Sequence, residues 1–107
     1  MHYETVHTEE RRGFQISLSM AQETDAPDWY FESPEDEVET LRKIDAGIYL
    51  WFIARVDVHK RGILLSSDYL GGCCYESVKD FIDCGYFADM ADTAIADAET
   101  VLKKLSA

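Results

Sequence analysis

The sequence is poor in several things at once. It has two prolines, and no apolar run approaches the length that crosses a bilayer. Its opening residues, MHYETVHTEERRG, lack the apolar segment of a secretory signal, so export by that route is not expected. No G-x-S-x-G, P-loop or Rossmann glycine pattern occurs, and no catalytic residue is assigned. Cysteine numbers three, two of them adjacent, which makes a poor disulfide framework and points to a reducing cytoplasm. Bases are scarce: ten Lys and Arg stand against 21 Asp and Glu, for a net charge of −11. That balance opposes direct binding to nucleic acid or to an anionic membrane, and it favours a basic partner surface.

What is present suffices for one core. The chain has 107 residues, 47% hydrophobic and 12% aromatic, which fits a single domain over 1–107. Residues 1–12 mix charges with little periodicity and read as a loose arm or the start of an edge strand. From Gly13 the chain alternates, with Phe14, Ile16, Leu18 and Met20 on one side, as in a half-buried strand ending near Gln22. Ser33 and Pro34 open a helix over about 34–46, with acids in its first turn, Arg42 and Lys43 in its last turns, and Gly47 as its stop. Residues 48–67 read as a hairpin turning at Lys60, Arg61 and Gly62. Ser77 caps a short helix that runs to about Cys84. A longer one follows, with Phe87, Met90, Ala91, Ala94, Ile95, Ala98, Val101, Leu102 and Leu105 on one stripe. The order β-α-β-β-α-α predicts an α+β domain: a small, mostly antiparallel three-stranded sheet with the helices packed on one face.

The segment SDYLGGCCYESVKDF places two glycines and two cysteines between an apolar run and a helix start. Zinc needs about four ligands in spaced pairs, whereas Cys73 and Cys74 are adjacent and His2, His7 and His59 form no pair. Cys74 lies near a helix start, but Glu76, Asp80 and Asp83 oppose a thiolate there. The expectation is therefore burial of both thiols as small hydrophobes, no metal or cofactor, and a tight corner at Gly71 and Gly72.

Acid distribution is the strongest functional signal. Residues 23–39 hold eight acids and no base, and residues 68–99 hold eight more with Lys79 as the single base. Carboxylates spaced along helices imitate a row of phosphates and meet basic grooves with fast, salt-sensitive association. The predicted partner-binding residues are Glu35, Asp36 and Glu39 on the first helix, Asp89, Asp92 and Glu99 on the last, and Asp28, Trp29 and Tyr30 in the acidic aromatic loop.

Two stretches, LWFIARVDVHKRGILLSSDYLGGCCYES and GYFADMADTAIADAE, together with the acidic total, resemble small accessory proteins of bacteriophages and other mobile elements. Among these, acidic anti-defence proteins, including anti-CRISPR and anti-restriction inhibitors, are similar in size and charge. The resemblance transfers no residue-level motif. It implies a non-enzymatic inhibitor in the bacterial cytoplasm that blocks DNA or RNA access to a basic host protein or nucleoprotein complex, such as a CRISPR effector. The alternative is a homo-oligomeric structural or regulatory module, a homodimer for example, whose acidity serves solubility.

Overall fold

A computed structural model describes residues 2–24 and 33–106 of the chain. Its elements are β1 (Glu4–Arg11), β2 (Phe14–Gln22), α1 (Pro34–Asp45), β3 (Leu50–Lys60), β4 (Ile63–Tyr75), α2 (Val78–Asp83) and α3 (Tyr86–Ser106). The strands form one antiparallel sheet in the order β1-β2-β3-β4. The class is α+β, but the sheet has four strands where three are predicted.

The extra strand is β1, which lies in the segment read as a loose arm or the start of an edge strand, and its composition explains why it is not counted in the predicted sheet. Its ladder sets His7 against Leu18, Glu9 against Ile16 and Arg11 against Phe14. Residues paired across an antiparallel ladder share a face, so polar side chains stand on the helix side of this edge strand. They are satisfied there. The His7 ring meets Phe87 edge-on at 5.2 Å, Glu9 accepts from His7 Nε2 at 2.8 Å, and Arg11 lies over the Phe87 ring. Polar residues on both faces leave no alternation to read.

The core lies between one sheet face and α3. Ile16 and Leu18 of β2 and Val56 and Val58 of β3 are buried there, beneath Phe87 and Ile95. Ala91, Ala94 and Ala98 are fully buried and let the helix backbone approach the sheet closely enough for Ser66 Oγ to donate to the Ala94 carbonyl at 2.5 Å. Phe81 of α2 closes one end of the core against Phe52 and Tyr75.

The glycine-cysteine segment is a second correction. Rather than turning a corner, the chain continues as β4 through residues 71–74, with a register shift: Phe52 pairs with Cys73 and Ala54 with Leu70. This bulge absorbs the extra residue. Gly72 takes φ +65, and its amide donates to Glu23 Oε2 at 3.1 Å. A Cβ on Gly71 would sit 3.3 Å from that same oxygen, so Gly71 makes room for the carboxylate, whereas a Cβ on Gly72 would meet the Trp51 ring at 3.5 Å. Among the described residues no helix is long and apolar enough to cross a membrane.

Candidate functional site

α1 is built as its sequence suggests. Ser33 Oγ accepts from the Asp36 amide at 3.2 Å, Pro34 occupies the first turn, and Glu35, Asp36 and Glu37 face the positive end of the helix dipole. The unusual property is its packing. No residue of α1 is buried, and Val38 is 66% exposed with Leu41 exposed one turn on. The helix spans the connection between β2 and β3, at the sheet end opposite the two hairpin turns.

The predicted acids on α1 fall into two kinds. Glu35 and Asp36 are exposed and, among the described residues, join no ion pair. Glu39 instead takes a paired contact with Arg42, at 2.6 and 3.1 Å, and this hydrogen bonding draws its carboxyl below the usual range. Glu37, which the sequence does not single out, is exposed like Glu35 and stands in the same first turn.

The acids of α3 are differently placed. Asp89, Asp92 and Glu99 are all exposed, but two of the three face arginines of the β1–β2 turn. Asp92 Oδ1 lies 3.5 Å from Arg11 and 3.8 Å from Arg12, and Glu99 lies 4.0 Å from Arg12. Arg11 also holds Glu9 at 3.0 Å, so a chain of alternating charges runs from Glu9 across the turn onto α3. Glu9 is held below its ordinary value first by the His7 hydrogen bond and then by Arg11. The structure thus brings Glu35 and Asp36 together as open carboxylates, and it places Asp92 and Glu99 in a neutralised band elsewhere. Asp28, Trp29 and Tyr30 lie outside the described residues.

A groove of about 680 Å³ runs beside the glycine-cysteine bulge, lined by Tyr49, Cys74, Tyr75, Glu76, Asp80 and Tyr86 among others. Its thiols are poor nucleophiles. Burial pushes Cys73 up to about 11 and raises Cys74 as well. Cys84, at the end of α2, is exposed and points its Sγ at the Phe81 carbonyl, 3.0 Å away. Among the described residues no three His, Cys, Asp or Glu side chains are grouped as a metal site. Compared with protein families, with curated proteins and with solved structures, the chain finds no match.

Proposed function

We propose that the chain is a non-enzymatic binding protein that presents α1 to a basic surface of a nucleic-acid-binding host protein and so blocks DNA or RNA access. The observation that carries this is a helix with no fully buried residue, in which Thr40, Lys43 and Ile44 alone are half-buried. α1 pairs an exposed apolar stripe, Val38 and Leu41, with open carboxylates at Glu35, Asp36 and Glu37. A helix with no place in the core gains most by covering that stripe with a partner, and the charge selects a basic one. The resemblance to anti-defence inhibitors makes a CRISPR effector the instance to try first, in the cytoplasm of a bacterial host.

The test is capture of a purified CRISPR effector by the immobilised chain, eluted by salt and challenged with DNA. Wild type should hold the effector and release it to DNA. Glu35→Lys with Asp36→Lys should lose the capture, with the fold checked by circular dichroism. Capture that survives both reversals would remove α1 as the site.

A further inference from the structure

The two hairpin turns are near copies of one another. Arg12 and Gly13 sit at φ 54 and 79, and Arg61 and Gly62 at φ 52 and 78. Each is a two-residue turn of type I′, since Arg11 pairs with Phe14 and Lys60 with Ile63. β2 pairs with β3 through Gln15 and His59, so the turns lie side by side at one end of the sheet.

α3 runs towards this end: Phe87 near its start meets His7, whereas Glu99 meets Arg12. At a helical rise of 1.5 Å per residue, Lys103 to Leu105 continue about 6–9 Å beyond Glu99. Six of the ten lysines and arginines therefore gather here: Arg11, Arg12, Lys60, Arg61, Lys103 and Lys104. Glu9, Asp92 and Glu99 take up Arg11 and Arg12. Among the described residues, Lys60, Arg61, Lys103 and Lys104 join no ion pair.

Large apolar side chains stand among these cations. Ile63 is 63% exposed, Leu64 54% and Leu105 74%. Ile63 is paired with Lys60 on the helix side of the sheet, and Leu64 with His59 on the other side. The opposite end of the molecule carries the complement: the open acids of the first turn of α1 beside exposed Val38 and Leu41. The nine residues of β2 alone separate the two ends by roughly 30 Å, so they cannot meet within one chain.

We propose that the hairpin end, with Arg61 and Ile63 at its centre, docks head to tail on α1 of a second copy of this chain. Cations meet carboxylates, and Ile63 meets Val38. Unlike surfaces form such a contact, so it propagates from copy to copy rather than closing as a two-fold dimer. It needs no other protein and so does not rest on the host-partner reading, although both use α1 and would compete for it.

Sedimentation velocity of the purified chain tests this. In low salt the mass should rise with concentration above the 12.2 kDa of one chain, and high salt should return it to that value. Arg61→Ser with Ile63→Ser removes the hairpin surface, and Glu37→Ser with Val38→Ser removes the helix surface. Each double variant should weaken self-association about tenfold or more. Mixed, the two variants should give a one-to-one dimer through their remaining intact ends and stop there. A wild type that stays monomeric throughout the series would overturn the proposal. So would variants that still assemble alone, or a mixture that does not pair. Sedimentation of the monomer with phosphatidylserine vesicles, lost in the Arg61→Ser, Ile63→Ser variant, would overturn it by assigning the surface to a membrane.

Discussion

Asp57 lies on the sheet side away from α3, yet it is only 7% exposed. Its carboxylate accepts from Ser67 Oγ at 2.5 Å and lies 3.1 Å from Arg55 Nε. That N–H is close but not aimed at the oxygen, and it finds no hydrogen-bond partner, so the pair is held by charge. Arg55 in turn lies 4.3 Å above the Tyr3 ring. Asp57→Ala should lower stability by about 1–3 kcal/mol, read from the urea midpoint, because it leaves a half-buried cation and a hydroxyl without their acceptor. Asp57→Asn, which still accepts from Ser67, should recover part of that loss. Cys73 makes a second residue-scale prediction. Its thiol is raised from 9.0 to about 11 by burial, so the folded chain keeps a proton that the unfolded chain releases first. Stability from this group is complete below pH 9 and is lost as pH rises towards 11, with a slope of at most about 1.4 kcal/mol per pH unit. Urea titrations across that window should show a fall that Cys73→Ala makes shallower. An equal slope in the variant would place the effect elsewhere.

At the scale of elements, α1 and α3 obey different rules. α3 is held by a buried stripe, whereas α1 is held by its cap and by local contacts such as Lys43 over the Tyr49 ring. Ser33→Ala should therefore cost α1 about 1 kcal/mol in local stability while leaving the global unfolding midpoint nearly unchanged. Hydrogen exchange should show faster amides in 34–45 alone, since fraying of a helix without buried residues does not open the core. The same contrast decides what the sequence discloses. The periodic stripe of α3, the capped start of α1 and the alternation of β2 are strong local signals, and each element falls within a residue or so of its expected place. β1 is hidden because one edge strand can use His7, Glu9 and Arg11 where a central strand would need apolar side chains. The continuation of β4 through Gly71 and Gly72 is hidden because a bulge and a corner share the same glycine signal. For the candidate surface, Glu35 and Asp36 are legible as helix-start acids. The neutralising of Asp92 and Glu99 is not, because it requires knowing that the β1–β2 turn lies beside α3.

At the scale of the whole molecule, two electrostatic effects oppose each other. A net charge of −11 repels itself, while a band of ion pairs ties β1 to α3. The ion pairs are partly exposed, and such pairs contribute about 0–1 kcal/mol each, so self-repulsion should dominate. The melting temperature at low protein concentration should accordingly rise when ionic strength is raised from about 0.01 to 0.15 M, as the Debye length shortens. A fall would show that the charged band outweighs the repulsion. The length of the molecule, 56 Å against 25 and 22 Å, sets out the rest of its behaviour. Cations collect at the hairpin turns and open carboxylates at α1, so the molecule has distinct poles. The ends of β2 and β3 that flank α1 are already cross-strand partners, Gln22 opposite Phe52. The four strands therefore form a complete meander with or without the helix, and α1 is a removable cassette. Replacing α1, residues 34–45, by a short flexible linker should leave a smaller protein that still folds, and the same junction should accept a foreign helix. The sheet and α3 are in that sense a scaffold, and α1 is the insert it carries.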